Sequence, residues 1–334
     1  MNNEIPKSDY EIFREEKHES LNAPHAVIVD AAEKATGASV SSEKRIIAGE
    51  TNEVHEITTD DGGEVIVRIY HGEKPKFERE RWAIEQCKAS GVPVPEVLLV
   101  EESKREGSTL FVCVESKVEG VSLGNIPEIT EPKNSERLKE LLYKTGEQLS
   151  TIHSISTNGF GSLDKNGQGK YDSVQSLLTE DQFRNPENIL SESKLKITDH
   201  DTVQLVNRAH EIIIAQADSL PVISPKLLHG DFGPQHILIK DGEISGVIDF
   251  EFAKGSDPTE EFARWELKFK DYPLEYIQAG YGNKELFEGD FERRKYIWRL
   301  FQGLAIMRYC AREGKQFGID KIVPELRKSV DYFI

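Results

Sequence analysis

Residues 229–238 read His-Gly-Asp-Phe-Gly-Pro-Gln-His-Ile-Leu, and residues 248–251 read Ile-Asp-Phe-Glu. Between them lie two runs of strand-forming residues, Ile237-Leu-Ile-Lys240 and Glu243-Ile-Ser-Gly-Val-Ile248, separated by Asp241-Gly242. Asp-Gly is the dipeptide that a tight primed hairpin turn prefers, because both central positions need positive φ. The hairpin folds Asp249 back beside the loop that carries Asp231. Phosphoryl transfer uses one carboxylate to orient the attacking hydroxyl and accept its proton, and another to hold the metal ions that neutralise a triphosphate. Asp231 takes the first role in this reading and Asp249 the second.

Together these motifs resemble the catalytic segments of the aminoglycoside phosphotransferase family, a branch of the protein-kinase-like fold. In that family His-Gly-Asp is followed, five residues after the Asp, by an asparagine whose carbonyl binds magnesium. Here the fifth residue is His236. Magnesium prefers oxygen ligands, whereas imidazole suits manganese and later metals, and macrolide kinases of the same superfamily carry histidine at this place. The resemblance implies Asp249 and His236 as metal ligands, Mg2+ or Mn2+ as the ion, and ATP or GTP as the phosphoryl donor. It also implies that His229 supports the loop by hydrogen bonds and packing. The similarity extends from Arg45 to Tyr309. Thr157-Asn-Gly-Phe-Gly161, Gly167-Gln-Gly-Lys-Tyr171, His229 to Gly233 and Val247 to Asp249 resemble the hygromycin B phosphotransferase branch.

A chain of 334 residues suits two lobes with a core in each. Cys87, Cys113 and Cys310 are odd in number and irregularly spaced, which argues against a disulfide framework or a zinc site and for a reducing compartment. Met1-Asn-Asn-Glu-Ile-Pro-Lys7 lacks the apolar core of a signal peptide, and no run approaches the roughly 20 apolar residues of a membrane span. A cytoplasmic protein is expected. The net charge of -17, from 59 acids and 42 bases, repels nucleic acid and anionic membranes. The same charge attracts amino-sugar or polyamine-like cations, and read plainly it is a solubilising surface. The expected partners are a nucleotide and a small-molecule substrate, with no nucleic acid and no membrane.

Residues 24–37 have helical spacing and stop at Gly37. Three strands follow, Lys44 to Ala48, Val54 to Thr59 and Glu64 to Tyr70, the last two joined by Asp60-Asp-Gly-Gly63. A helix from Pro75 to Ser90 and two further strands, Glu96 to Val100 and Thr109 to Val114, complete a five-stranded antiparallel sheet packed on one helix. Beyond it the pattern turns helical: Asn134 to Ile155, with Leu138, Leu141, Leu142, Leu149 and Ile152 on one face, then Val203 to Ala217. From Thr259 it is helical to the end, anchored by Trp265, Trp298 and Phe301. The expected class is α+β, a protein-kinase-like two-lobed fold with residues 1–116 as the nucleotide-binding N-lobe. Residues 117–334 form a mostly helical C-lobe with the catalytic loop and substrate-binding helices.

Strand alternation puts Val65, Val67 and Ile69 on one face and Ile66, Arg68 and Tyr70 on the other. By family position Arg68 stands where a kinase lysine grips the α and β phosphates and pairs with a helix glutamate, here Glu80; choline and ethanolamine kinases also have arginine there. Alone, Arg68 would read as a surface arginine. Ile66 would pack on the base. The loop Ala48-Gly-Glu-Thr-Asn52 has one glycine; Thr51 and Asn52 either contact phosphate or belong to an ordinary hairpin loop. Glu115 to Lys117 are placed to offer connector backbone groups to the base.

Cationic acceptors need carboxylates, because an ammonium leaving water requires an opposite charge. Glu251, Asp257 and Glu266 are the candidates on the substrate side. Glu260 and Glu261 read instead as acids solvated at a helix N-terminus, and Phe250 and Phe252 read as core. The function read from the sequence is an O-phosphotransferase acting on an aminoglycoside-like antibiotic or amino sugar. The alternatives are a macrolide kinase, a choline-like metabolite kinase, and a nucleotide-binding pseudoenzyme.

Overall fold

The computed structural model describes residues 7–47, 49–73, 76–105, 108–126, 135–192 and 194–334. Two helices, α1 (Asp9–Glu19) and α2 (His25–Thr36), precede the strands β1 (Val40–Ile46), β2 (Asn52–Thr59) and β3 (Glu64–Tyr70). Next come α3 (Phe77–Ala89), β4 (Val97–Arg105) and β5 (Ser108–Ser116). These strands form one antiparallel sheet in the order β1-β2-β3-β5-β4. β3 matches its predicted bounds. β1 begins at Val40, β2 at Asn52, and β4 continues to Arg105, because ladder pairing carries on through polar residues that alternation does not mark. Ala48, Pro75 and Asn134, each the end of a predicted element, lie outside the described residues.

The sheet is covered by a helix on each face, not on one. Val65, Val67 and Ile69 of β3, with Leu110, Val112 and Val114 of β5, pack on Val27, Ile28, Ala31 and Ala32 of α2. The alternate positions of β5, Phe111 and Cys113, meet Phe77 of α3. Arg68 and Glu115 lie on this second face, so a buried charge cluster sits beside the smaller apolar one.

The rest of the chain supplies β6 (Val121–Ser122), α4 (Glu136–Ser154), β7 (Phe160–Leu163), β8 (Gly169–Tyr171), α5 (Val174–Glu180), α6 (Pro186–Leu190), α7 (His200–Ala217) and β9 (Lys226–Leu228). It continues through β10 (Ile237–Lys240), β11 (Glu243–Val247), β12 (Lys254–Ser256), α8 (Thr259–Lys268), α9 (Leu274–Gly280), α10 (Phe291–Glu313) and α11 (Gln316–Asp331). This is the expected α+β two-lobed architecture. The five α4 residues of the predicted apolar face are buried, as are Trp265, Trp298 and Phe301. The helical stretch after Thr259 is broken at 269–273 and 281–290. Phe250 is buried but Phe252 is 49 % exposed, which corrects its assignment to the core. Among the described residues no helix is long and apolar enough to cross a membrane.

The hairpin is present: β10 pairs with β11, Lys240 opposite Glu243, with Asp241 at φ 53 and Gly242 at φ 82. β6 adds a third strand beside β10, and β12 pairs with β9 and β7. Residues 229–236 therefore run between β9 and β10, and 248–253 between β11 and β12. Both loops are pinned at each end by short sheets.

Helix α1 lies upstream of every element that periodicity predicts, although Ser8-Asp-Tyr-Glu11 spells a capping box. Ser8 Oγ accepts the Glu11 N–H at 3.3 Å, and the Glu11 carboxylate accepts the Ser8 N–H at 2.8 Å. The helix spans both lobes. Lys17 pairs with Glu313 at 2.9 Å and Phe13 meets Phe317 edge-on, while the His18 ring is 3.2 Å from the Gly49 carbonyl. Close by, Lys315 Nζ donates to both Glu50 oxygens at 2.8 and 2.9 Å among the rings of Tyr10, Phe13, Tyr309 and Phe317.

Helices α4 and α9 touch backbone to backbone. A Cβ on Gly146 would lie 2.0 Å from the Ile277 carbonyl oxygen, and one on Gly280 would lie 1.9 Å from that of Tyr143. Neither neighbour is a flexible side chain, so Gly146→Ala must push the helices apart. Loss of roughly 1–3 kcal/mol is expected, read as a lower denaturant midpoint in equilibrium unfolding.

Candidate active site

The loop 229–236 is shaped from beneath by one buried carboxylate. Glu261 of α8 accepts the backbone N–H groups of His229 at 2.9 Å, Gly230 at 2.8 Å and Phe232 at 3.4 Å. Gly230 sits at φ 83, and a Cβ there would meet the Phe252 carbonyl oxygen at 2.1 Å, so only glycine fits. Glu261 is backed by His153 Nε2 at 3.3 Å, whose Nδ1 is 3.1 Å from the Tyr281 hydroxyl. Burial alone would raise the Glu261 pKa, but His153, His229 and the loop amides hold it below the usual carboxylate range. Glu261 is thus no solvated helix-end acid, which corrects that expectation. Glu260 is buried too, bonded to Lys254 at 2.6 Å and to Gln302.

The His229 ring ties the two loops together. Its Nε2 is 2.9 Å from the Ile248 carbonyl oxygen, and its Nδ1 accepts the Asp231 N–H at 3.3 Å. The ring packs on Phe250 at 4.4 Å, and burial lowers its pKa below the ordinary imidazole value.

Asp231 projects from this loop toward α8. Arg264 donates Nε at 3.1 Å and Nη2 at 2.5 Å to its Oδ1, and Lys268 donates Nζ to the same atom at 2.9 Å. Burial opposes ionisation here, but the charges of Lys268, Arg264 and His236 hold the carboxyl well below its ordinary range. His236 lies between the two predicted aspartates: its Nδ1 is 3.0 Å from the Asp231 carbonyl oxygen and its Nε2 is 3.2 Å from Asp249 Oδ2. Asp249 adopts φ 70, a strained value for a non-glycine residue. Burial would raise its pKa as well, yet Arg68, His236 and Lys76 hold it below the ordinary range.

On the sheet side, Arg68 Nη1 bonds to Glu80 at 2.6 Å and Glu115 at 3.0 Å, and its Nη2 bonds to Asp249 at 2.5 Å. The Arg68–Glu80 pair is the expected one. Burial, reinforced by Glu115, Asp249 and Glu251 and opposed by Arg68, pushes Glu80 up to about 8. Ile66 is half-buried on the same strand face.

Several sequence assignments are corrected. Glu251 is buried and bound by Asn52 Nδ2 at 2.8 Å and by Lys76, with Arg68 at 3.6 Å, so it belongs to the sheet side and not to an acceptor. Asp257 caps the start of α8 through the Thr259 N–H at 2.9 Å and takes the Trp298 indole at 3.3 Å. Glu266 pairs with Arg299 at 2.7 Å on the face of α8 away from Arg264 and Lys268. Each is committed to an internal cation or donor, so none is placed to hold an acceptor ammonium. Asn52 reaches Glu251 with its amide nitrogen, while its buried Oδ1 has no partner among the described residues. Thr51 beside it is half-buried. Glu115 lies within β5, opposite Ile66 and Val97, and contributes its side chain to the Arg68 cluster. The N–H of Lys117 donates to the Glu64 carbonyl, and its ammonium bridges Glu56 and Glu64, each at 2.9 Å.

The sequence reading missed Lys76, Arg79, whose guanidinium donates to the Glu251 carbonyl oxygen, Arg264 and Lys268. Arg264 and Lys268 carried a usable signal, since cations four apart on a helix share a face.

His236 and Asp249 are the candidate pair for a metal ion, and without one they bond to each other: burial opposes protonation of the His236 ring, but Asp249 and Asp231 raise its pKa above the ordinary imidazole value. Asp249 Oδ2 and His236 Nε2 face each other at 3.2 Å, while among the described residues no group of three or more His, Cys, Asp or Glu is arranged to hold an ion. Two protein ligands completed by phosphate oxygens is how catalytic magnesium is commonly held.

The family model described as "Phosphotransferase enzyme family" matches residues 42–295. The chain is 25 % identical over 226 residues to hygromycin-B 4-O-kinase of Escherichia coli, covering 67 % of this chain and 62 % of that one. It thus matches about three fifths of that relative's length. Among solved structures, a ternary complex of aminoglycoside phosphotransferase APH(4)-Ia with AMP-PNP and hygromycin B superposes with TM-score 0.74 at 21 % identity, covering 92 % of this chain and 98 % of that one. The gentamicin complex of APH(2")-IIa gives TM-score 0.61 at 17 % identity, with 92 % and 97 % covered. At these identities the likeness speaks to the fold.

Removing the Glu261 charge should loosen the loop beneath Asp231. Glu261→Gln is expected to cost about 2–3 kcal/mol at neutral pH, since hydrogen bonds to a buried charged group are lost. The folded-state pKa lies below the ordinary 4.5, so the carboxylate's contribution is full above that value and is lost as pH falls through the folded pKa. Urea unfolding of both proteins across pH should show the gap closing only in acid.

Proposed function

The chain belongs to the phosphotransferase enzyme family, and from that premise we propose that it moves the γ-phosphoryl group of ATP or GTP to a hydroxyl of a small molecule. Residues 1–116 then form the nucleotide-binding lobe, and 117–334 hold the catalytic loop and the acceptor side. The observation that supports the reading is the chain of contacts Asp231, His236, Asp249 and Arg68, which links the candidate base, the two candidate metal ligands and the candidate phosphate-binding arginine. The named activity of hygromycin-B 4-O-kinase supports an aminoglycoside-like acceptor or amino sugar. A choline-like or macrolide acceptor is the second reading, favoured by Arg68 and His236 standing where those kinases carry arginine and histidine.

In this mechanism the acceptor hydroxyl hydrogen-bonds to Asp231. Its oxygen forms a bond to the γ-phosphorus as the bond to the β-bridging oxygen breaks, and its proton passes to the Asp231 carboxylate. Asp249 and His236 would hold Mg2+ or Mn2+, which neutralises phosphate charge. Arg68, released from part of its carboxylate cluster, orients the α and β phosphates. Asp231 is ionised at neutral pH, as a proton acceptor must be, and Arg264 and Lys268 hold it in place.

Asp231→Asn keeps the shape but cannot accept the proton. Turnover should fall about 100-fold or more, with nucleotide affinity near that of the wild type, as checked by steady-state kinetics and nucleotide titration.

His236→Asn supplies an amide oxygen and should retain magnesium-dependent turnover. His236→Ala removes the ligand. Since losing even an outer partner of a metal commonly costs about 10- to 100-fold, at least a tenfold loss is expected, measured as activity against Mg2+ and Mn2+ concentration. Full activity and an unchanged metal requirement in the alanine variant would remove His236 from the ligand set.

A further inference from the structure

Asp231 is held on one oxygen by more cation than fixing it requires. Arg264 alone gives Oδ1 two N–H donors, and Lys268 adds a third. Oδ2 accepts no hydrogen bond from the described residues, so it is the oxygen left for a hydroxyl. The two cations are not held alike. Arg264 Nη1 donates to Gln302 at 2.9 Å, Gln302 is buried and bonded to Glu260, and Glu260 pairs with Lys254 at 2.6 Å. Moving Arg264 would break into a buried polar chain. Lys268 is the last residue of α8, its side chain is 32 % exposed, and Asp231 is its sole ion-pair partner among the described residues.

We propose that Lys268 is a catalytic residue that leaves Asp231 for the phosphoryl group in transfer, while Arg264 remains as the positioning residue of the base. This rests on the reading of Asp231 as the base. As the hydroxyl oxygen bonds to the γ-phosphorus and the bridging bond breaks, its electron pair goes to the nucleoside diphosphate and the hydroxyl proton goes to Oδ2. Neutralised, Asp231 no longer attracts Lys268, while the non-bridging oxygens beside it remain charged. The ammonium follows the charge without losing a proton, on a flexible stem that a guanidinium tied to Gln302 lacks. Stabilisation that appears only as charge moves lowers the barrier without tightening the ground state. The bland alternative is a lysine that merely neutralises a buried aspartate.

The test uses the full chain with Mg2+, ATP and hygromycin B as probe acceptor, with hydrolysis to water followed in parallel. Lys268→Met should lower kcat about 100-fold while KM for ATP stays within about twofold. Affinity for ADP with aluminium fluoride should fall in step, while affinity for ADP alone is unchanged. Lys268→Arg should recover most of kcat. If Lys268→Met matches the wild type in kcat and in aluminium fluoride affinity, the lysine is not catalytic. If it loses ADP affinity and melting temperature together, its role is structural, and the proposal falls in that case too. A wild type that consumes neither ATP nor GTP with hygromycin B, a macrolide, choline or water overturns the transfer reading itself.

Discussion

A single carboxylate under a loop organises this molecule. Glu261 receives three consecutive-region amides from residues 229 to 232, a geometry that a loop crossing the protein interior could not otherwise satisfy. The acid sits in the first turn of α8, where the helix dipole favours negative charge, and its other neighbour is the His153 ring from α4. From that anchor follow the direction of Asp231, the room that only Gly230 allows, and the reach of Arg264 and Lys268, which share α8 with the anchor.

The lobes meet through charge. Arg68 leaves the sheet to bind the half-buried Asp249, and Asn52 and Lys76 bind the buried Glu251. Buried ion pairs of this sort add little net stability, since desolvation offsets attraction, but a lost partner is costly. They therefore define where Asp249 can sit more than they strengthen the fold. The φ of 70 at Asp249 persists because Arg68 on one side and His236 on the other over-determine its position.

Much of this was legible in the sequence because the carriers are local. The Asp241-Gly242 turn, the alternation of 64–70 and the leucines of α4 each state their structure within a few residues, and the Arg68–Glu80 pair was implied by the family resemblance. What was not legible depends on partners far along the chain. Glu251, Asp257 and Glu266 look free in sequence and are paired in space with Lys76, Trp298 and Arg299. Glu260 and Glu261 read as solvent-facing because a helix N-terminus is their common setting, and nothing nearby says that a loop lies over them. α1 escaped because its stability comes from residues some 300 positions away, although its capping box was in view.

That distance has a consequence for how the chain is made. Lys17 meets Glu313 across 296 positions and Glu50 meets Lys315 across 265. A ribosome adds about 5–20 residues per second, so helix α1 emerges well before the C-terminal part of the surface on which it rests exists. The five-stranded sheet can close on α2 early, since all its strands lie within residues 40–116. The first helix can meet the sheet side early, through His18 and Gly49, but its Phe13 and Lys17 side stays uncovered until the last two helices have formed. Its docking is therefore completed only late, and a chain halted before residue 313 would lack the Lys17 and Phe13 contacts.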